Sequence, residues 1–364
     1  MKVIPTRAQF CLALFSVVLL SGLCFAQPAV TLSVKAGPPT TSLLVSGSGF
    51  PVSTAVDIYF DTANVALAAT NSAGSFSKIM IRVPASALPG TNWITAEVTT
   101  TGEAAQAPFY VRANWPQFHF AASHSGLNPY ENVLSPTTAS NLGLRWSYLT
   151  MGYLESSPAI ASGVVYIGSD DYNIYALNAG TGALRWKYTT GSYVTSTPAV
   201  ANGVVYFGSE DFNVYALSAS TGAELWQFPT GGSVESLSPA VANGVVYIGS
   251  DDNNVYALNA GTGAELWQFP TGYPLCSSPA VANGVVYIGS FGDNVYALNA
   301  GTGAELWQFT TGYDVCSSPA VADGVVYIGS ADSNVYAFGL PNNPTQALER
   351  PDPASLRPNL SPRK

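Results

Sequence analysis

One unit recurs about every 40 residues through most of this sequence. VVYIGS stands at 164–169, 245–250, 285–290 and 325–330, and VVYFGS stands at 204–209. Five tryptophans recur with the same spacing: Trp146, Trp186, Trp226, Trp267 and Trp307. A fixed period of this length indicates a repeat architecture, in which each unit buries its apolar face against its neighbours.

Each unit contains four strand signals separated by turn signals. In the copy at 278–309 the strand signals read SPAVA, VVYIGS, NVYALN and AELWQF, with Asn283-Gly284 between the first two. Asn-Gly favours a two-residue hairpin, because both central residues must take positive φ. A four-stranded meander at this period is typical of a propeller blade. We therefore predict an all-β fold with a five-bladed β-propeller over 142–340, and assign the five tryptophans to its structural core.

The strand signals at the two ends of the array are offset. The first tryptophan lies in LGLRWSYLT (142–150), before the first complete unit, and the last unit stops after its third strand, VYAFG. The segment 142–150 is thus predicted to supply the outer strand of the last blade, which would close the ring and remove its exposed edges. An open solenoid is the alternative.

The first 26 residues have the pattern of a signal peptide. Lys2 and Arg7 precede an apolar run that ends at Leu23, and Cys24-Phe25-Ala26 offers a cleavage site. The run is short for a membrane span, so we expect no membrane span in the mature protein. We predict a protein that is secreted, or that stays in the periplasm or at the cell surface after cleavage.

Residues 27–113 lack the 40-residue period. Seven short strand-like runs separated by turn clusters favour a β-sandwich. The segment VSGSGFPVSTAVDIYFD resembles immunoglobulin-like domains of bacterial surface proteins. We interpret 114–141 as a connector and the proline-rich residues 341–364 as a disordered tail.

Composition limits the partners. The chain carries 13 Lys+Arg against 22 Asp+Glu, a formal net charge of −9, and removal of 1–26 makes the balance more negative. An acidic chain is a poor binder of nucleic acid. We expect a monomer whose partner is a protein or a glycan.

Two cysteines, Cys276 and Cys316, occupy the same point of neighbouring repeats. An exported protein can form disulfides, so a bridge between them is one hypothesis. Two buried thiols, duplicated together with the repeat, are the other.

No catalytic motif stands out, and no metal site is predicted. His119 and His124 lie in the connector without neighbouring cysteines or a clear acidic cluster. The Asp-x-Asn series is explained by turns in which Asp and Asn side chains bond local backbone. We therefore predict no catalytic residue, no metal and no cofactor.

Differences between the repeats point to one candidate binding face. The turns after the first and third strands are nearly constant, whereas the links into each first strand and the loops after each second strand vary. In an up-and-down meander these links and loops emerge at the same end. They carry the predicted binding residues Tyr153, Tyr172, Tyr193, Phe212, Tyr273, Phe291 and Tyr313.

The unit VVYIGSxDxNVYALNAxTGAELW and the lead-in WPQFHFAASHSG at 115–126 resemble the pyrroloquinoline-quinone-type (PQQ-like) β-propeller repeat family. The resemblance implies one of two activities: a quinone- and Ca²⁺-dependent dehydrogenase with eight blades, or a cofactor-free scaffold of envelope assembly. Five near-identical units depart from the enzyme branch. A non-catalytic recognition or scaffold protein is therefore our first hypothesis, and a PQQ-dependent dehydrogenase or an envelope assembly scaffold are the alternatives.

Overall fold

The structure is a computed structural model that describes residues 27–112, 114, 117–122, 124, 128, 130, 133–322 and 324–340. The predicted signal peptide and proline-rich tail lie outside the described residues. The chain divides into two compact units near residue 111, with residues 85–89 assigned to the second unit.

Alternating apolar and polar residues build the strands of the first unit. Its strands are β1 (Ala29–Leu32), β2 (Ala36–Gly37), β3 (Ser42–Ser48), β4 (Ala55–Phe60), β5 (Ala63–Ala69), β6 (Phe76–Arg82), β7 (Gly90–Val98) and β8 (Ala104–Val111). They form a sheet of order β1-β3-β6 and a sheet of order β2-β8-β7-β4-β5. Val56, Ile58 and Phe60 show the alternation, since every second side chain of β4 is buried. The first of the seven predicted strand-like runs, VTLSVKA (30–36), divides between β1 and β2, which belong to different sheets.

Five sheets of the repeat follow in the second unit. Blade 1 contains β9 (Ala159–Ala161), β10 (Val164–Gly168), β11 (Asn173–Asn178) and β12 (Leu184–Thr189). Blade 2 contains β13 (Ala199–Ala201), β14 (Val204–Ser209), β15 (Asn213–Ser218) and β16 (Glu224–Pro229). Blade 3 contains β17 (Ala240–Ala242), β18 (Val245–Gly249), β19 (Asn254–Asn259) and β20 (Glu265–Pro270). Blade 4 contains β21 (Ala280–Ala282), β22 (Val285–Gly289), β23 (Asn294–Asn299) and β24 (Glu305–Thr310). Blade 5 contains β25 (Ala320–Ala322), β26 (Val325–Gly329) and β27 (Val335–Gly339).

Each sheet is an antiparallel meander in chain order. The turns between first and second strands have the predicted hairpin geometry: φ is 50° at Asn202 and 80° at Gly203. The first strands of neighbouring blades contact one another along the array. The described residues therefore have the repeated four-stranded sheets of a β-propeller.

A shared carbonyl joins each of blades 1, 2 and 3 to the next blade. In blade 2 the Tyr206 hydroxyl and the Trp226 indole Nε1 both donate to the carbonyl oxygen of Ala260 in blade 3, each at 3.0 Å. A Cβ on Gly263 would lie 2.7 Å from the Trp226 ring, and Gly263 has φ of 72°. The turn motif Ala-Gly-Thr-Gly thus needs its last glycine for two reasons, the left-handed backbone and the ring that packs on it.

This latch repeats along the array until blade 4. The equivalent bonds run from Tyr166 and Trp186 to Ala219, from Tyr247 and Trp267 to Ala300, and from Trp146 alone to Ala179. Trp186, Trp226 and Trp267 are buried as predicted, whereas Trp146 is half-buried.

Trp307 departs from the predicted core and is 37% exposed. Its partner would be a turn after the third strand of blade 5, where Leu340 stands in place of alanine and is itself exposed. A cavity of about 450 Å³ lies between blades 4 and 5 and is lined in part by Tyr287. Among the described residues, the Trp307 ring and the Tyr287 hydroxyl therefore lack the alanine turn that their counterparts in blades 1 to 3 contact.

The predicted closing strand is not formed. Residues 142–150 carry no strand, and blade 5 ends at β27 as a three-stranded sheet. A ladder of hydrogen bonds joins Ser157 to Thr197, Thr197 to Ser238, Ser238 to Ser278 and Ser278 to Ser318. Within the described residues no bond returns from Ser318 to Ser157. Among the residues that the structure describes, blades 5 and 1 are therefore not joined by the bond that joins the other neighbouring blades.

A disulfide joins Cys276 and Cys316, whose Cα atoms lie 4.7 Å apart. The two cysteines precede the first strands of blades 4 and 5 and so link adjacent blades. Across the residues that the structure covers, no helix is long and apolar enough to cross a membrane.

The latch predicts unequal effects of tryptophan removal. Trp226→Ala should lower the free energy of unfolding by about 3–5 kcal/mol, because a buried ring and its hydrogen bond are both lost. Trp307→Ala should cost less, since its ring is already part-exposed. Urea unfolding followed by circular dichroism measures both losses, and equal losses would contradict the latch.

The disulfide predicts that the chain from Gln27 onward has no free thiol when it is denatured without reductant. Reduction should lower the free energy of unfolding by about 4 kcal/mol, as expected for a closed loop of this length. Thiol titration in denaturant, with and without reductant, gives the count. Two titratable thiols before reduction would rule out the bridge.

Candidate binding face

Hydrogen bonds hold each variable link beside the variable loop of the same blade. The loop amide of Asp170 donates to the carbonyl oxygen of Tyr153 at 3.0 Å, and that of Glu210 donates to the carbonyl oxygen of Tyr193 at 3.0 Å. Equivalent bonds run from Asp251 to Ser233, from Phe291 to Pro274 and from Ala331 to Asp314. The links and loops therefore form one surface at the same end of every blade, which we call the loop face.

All seven aromatic residues predicted to bind are exposed on the loop face. Tyr153, Tyr172, Tyr193 and Phe212 belong to blades 1 and 2, and the Tyr172 and Tyr193 rings lie 5.3 Å apart. Tyr273, Phe291 and Tyr313 belong to blades 4 and 5. Blade 3 contributes no ring, so the aromatic residues form two groups on either side of it.

Four of the five loops carry an aspartate at the same position, and this aspartate stabilises the loop. Asp171 Oδ2 accepts from the Tyr175 hydroxyl at 2.6 Å and from the Met151 amide at 2.9 Å, while Oδ1 accepts from the Asn173 amide. Burial opposes ionisation of Asp171, but these hydrogen bonds outweigh it and lower its pKa. The turn interpretation therefore accounts for this carboxylate without a metal.

Blade 4 breaks this pattern. Gly292 replaces the aspartate, and a Cβ there would lie 2.3 Å from the Tyr273 ring. The glycine lets Tyr273 pack directly over the loop backbone beside Phe291. This change in one repeat shapes the second aromatic group.

Two aromatic residues of the loop face occupy strained backbone. The last residue of each loop has positive φ: Tyr172 (67°), Phe212 (70°), Asn253 (74°), Asp293 (62°) and Ser333 (74°). Asn and Asp tolerate this region, whereas bulky side chains rarely adopt it. Each such residue costs on the order of 1–3 kcal/mol. Rings at 172 and 212 therefore stand where stability alone would favour Asn.

Carboxylates gather on the loop face between the two aromatic groups. Burial raises the pKa of Glu210, and the negative charges of Glu235, Asp170 and Glu155 raise it further. Burial and the charge of Glu235 likewise raise the pKa of Asp251. The link into blade 3 is one residue longer than the other links, and the extra residue falls within Glu235-Ser236-Leu237. Ser236 takes positive φ there, and Leu237 is buried. The negative charges of this acidic centre therefore act on one another.

The connector lies along the first strands, which sequence reasoning did not foresee. Its Asn114, Gln117 and Ala122 accept hydrogen bonds from the backbone of Ser162, Val241 and Val281 in blades 1, 3 and 4. His124 is buried, and its Nδ1 donates to the carbonyl oxygen of Pro319 beside blade 5, 2.9 Å away. Burial lowers the pKa of His124 to about 4. Of the two connector histidines, His124 is therefore packed against the array, whereas His119 is exposed and stacks on the Phe118 ring at 3.9 Å.

A quinone with Ca²⁺ does not fit these residues. Pyrroloquinoline quinone is a polycarboxylate and needs cationic partners. Between 142 and 340 the only basic residues are Arg145, Arg185 and Lys187, which lie in 142–150 and on the fourth strand of blade 1. The inner edge carries connector residues, and the loop face carries carboxylates. Among the described residues no group of three or more His, Cys, Asp or Glu is arranged to hold a metal.

The sequence matches the family model described as outer membrane protein assembly factor BamB. The matches cover residues 137–274 and 251–340, together more than half of the chain. The chain belongs to this family. The PQQ-like repeat inferred from VVYIGS and its partner strands is thereby confirmed.

Solved structures agree on the fold. Quinohemoprotein alcohol dehydrogenase ADHIIG from Pseudomonas putida HK5 is 23% identical, with a TM-score of 0.56 over 62% of this chain and 46% of that one. BamB from Moraxella catarrhalis is 23% identical, with a TM-score of 0.48 over 54% of this chain and 61% of that one. At 23% identity, the similarity to the dehydrogenase shows the fold alone.

A curated relative matches a short segment. The uncharacterized protein YxaL of Bacillus subtilis (strain 168) is 41% identical over 54 residues, which is 15% of this chain and 13% of YxaL. The chain spans less than two thirds of the length of each of these relatives.

The acidic centre predicts a pH effect. Because the pKa values of Glu210 and Asp251 are raised in the fold, the two groups contribute stability at low pH that is lost as pH rises through and above the ordinary carboxyl range. Glu235→Gln should lower both pKa values and raise stability at neutral pH. Carbon-13 NMR titration of the carboxyl groups measures the first effect and thermal melts the second. Glu265→Gln, on the fourth strand of blade 3, is the control and should change neither pKa. An unchanged Glu210 pKa in the first variant would contradict the cluster.

Proposed function

We propose that this protein is an exported, non-catalytic scaffold that binds a protein partner through the loop face of its propeller. The observation that carries the proposal is the exposure of seven aromatic side chains on that one face. Aromatic residues are enriched at protein interfaces, because one rigid ring buries a large area at a low entropic cost.

Backbone strain supports a binding role for two of the rings. The same loop position is Asn in blade 3, Asp in blade 4 and Ser in blade 5, so the fold does not need an aromatic residue there. Tyr172 and Phe212 are retained at a cost in stability. Strain of this kind concentrates at functional positions.

Charge defines the chemistry of the partner. Glu210, Glu235 and Asp251 repel one another between the two aromatic groups. A Lys or Arg side chain of the partner would relieve this repulsion, and it could also rest on a neighbouring tyrosine ring. The expected partner surface therefore carries a basic residue between two apolar contacts.

Membership of the assembly-factor family supports a scaffold over an enzyme. We infer that the signal-peptide pattern of 1–26 exports the chain to the cell envelope, and that the first unit is an immunoglobulin-like sandwich. A PQQ-dependent dehydrogenase is the weaker alternative, because the basic residues of the repeats lie away from the inner edge.

The test uses variants that keep the fold. Tyr172→Asn and Phe212→Asn place the blade 3 residue at the equivalent positions, so stability should stay equal or rise slightly. Binding of an envelope protein captured by the chain from Gln27 onward should weaken by about 10-fold or more, since each change removes a buried ring from the interface. Calorimetry of the purified pair measures the affinity.

Matched changes on the opposite end are the control. Thr221→Ala and Thr262→Ala lie in the turns after the third strands and should leave the affinity unchanged. Equal losses from both sets would refute the loop face, and a glycan as the captured ligand would refute a protein partner. Uptake of pyrroloquinoline quinone with Ca²⁺, seen as absorbance after dialysis, would favour the dehydrogenase.

A further inference from the structure

The array has an incomplete blade at one end and a single segment with the sequence of a fourth strand at the other. Blade 5 has first, second and third strands but no fourth strand among the described residues. At the other end, residues 142–150 precede blade 1 without a sheet of their own. We call residues 142–150 the leading segment.

The leading segment has the contacts of a fourth strand on its outward side. Trp146 Nε1 donates to the carbonyl of Ala179, as Trp186 does to that of Ala219. The Tyr148 ring lies 5.6 Å from that of Tyr175, and the equivalent rings in blades 1 and 2, Tyr188 and Tyr215, lie 5.7 Å apart. Its sequence LRWSYL (144–149) also matches the strand LRWKYT (184–189).

Its inward side has no neighbour. In complete blades the third strand pairs there, as β11 pairs with β12. In the leading segment Leu144 is 87% exposed, and Leu142 and Leu149 are exposed too. The leading segment thus has the sequence of a fourth strand and the contacts of one with blade 1. Among the described residues, no third strand pairs with it.

Blade 5 offers the missing neighbour. β27 pairs with β26 in the register of the complete blades, with Tyr327 opposite Ala337 as Tyr166 is opposite Ala176. Among the described residues its other edge has no partner strand, and Val335 is 82% exposed. An unpaired edge of this kind is a template for strand addition.

We propose that the leading segment of one copy of this chain completes blade 5 of a second copy. The register of blade 1, where Ala176 faces Trp186, would set Ala337 opposite Trp146 and Tyr336 opposite Ser147. The junction then has the strand order of every other blade, and blade 1 of the donor copy continues the array.

Contacts within one chain oppose pairing of its leading segment with its own blade 5. The leading segment is fixed on blade 1 by Trp146 and by the bond from the Met151 amide to Asp171. The connector also bonds to the backbone of blades 1, 3 and 4 and beside blade 5. Closing the gap within one chain would move blade 5 towards blade 1 and so shift the connector contacts that span these blades, whereas a second copy shifts none. The proposed head-to-tail assembly differs from the monomer that the sequence predicts, which stays a prediction.

Two single-cysteine variants test the junction in the chain from Gln27 onward. Ser147→Cys and Tyr336→Cys, one of them carrying a size tag, are mixed under mild oxidation and separated on a non-reducing gel. In an equal mixture about half of the chains should run as a cross-linked pair of one tagged and one untagged chain, because each leading segment meets either variant equally often. Thermal melts of each variant establish that it is folded.

The matched control is Lys187→Cys with Tyr336→Cys. Lys187 holds the same strand position as Ser147, but its strand is already paired within blade 1. Equal cross-linking in the control and test mixtures, or none in either, would overturn the proposal. A doubly substituted Ser147→Cys, Tyr336→Cys chain that bridges within itself would also overturn it, because the ring would then close on its own strand.

Light scattering provides a second readout without cysteines. The unmodified chain should have a mass of two or more chains, and Leu144→Lys with Leu149→Lys should return it to one, since charges on an edge strand block pairing. A single-chain mass for the unmodified protein at micromolar concentration would contradict the assembly.

Discussion

The propeller unit depends on one carbonyl group per blade. The alanine carbonyl in the turn after each third strand accepts a tyrosine hydroxyl and a tryptophan indole from the preceding blade, as Ala260 does from Tyr206 and Trp226. A glycine three residues on leaves space for the tryptophan ring. Because the ring is buried and its polar atom is satisfied at the same time, each interface gains apolar burial without an unpaired donor. The repeat is conserved within this chain at the residues of this contact.

The latch has a direction, and this explains the two ends. Blades 1 to 3 donate side chains forward, and blades 1 to 4 offer a carbonyl backward. Blade 5 lacks the alanine carbonyl, because its third strand leads to Leu340 and not to the Ala-Gly-Thr-Gly turn. Trp307 is exposed for that reason. The leading segment, by contrast, has a forward contact through Trp146 and nothing behind it. An array built from a directional contact has complementary ends.

The proposed binding face lies at the end of the blades that the latch does not use. The turns that carry the latch need glycine and alanine, so they can vary little. The links and loops at the other end are held by backbone hydrogen bonds and by the aspartate clamp of Asp171 and its counterparts, which leave most side chains free. Those positions hold the exposed rings and the mutually repelling Glu210, Glu235 and Asp251. The rigid frame thus presents a surface suited to a cationic, partly apolar partner.

The sequence by itself determined the repeat, its strand order, its hairpin turns and the face where the repeats differ, because these depend on local patterns of period two and on residues with special φ. It also placed the seven rings on that face. Tertiary structure decided the rest. The exposure of Trp307, the lack of a joining bond between the described residues of blades 5 and 1, the path of the connector along the first strands and the cluster around Glu235 all depend on contacts between residues far apart in the chain. The offset of the strand signals predicts a closing strand at 142–150, yet whether a strand forms there depends on which strand edge lies beside it. Only the packing of whole blades sets the distance between that edge and residues 142–150.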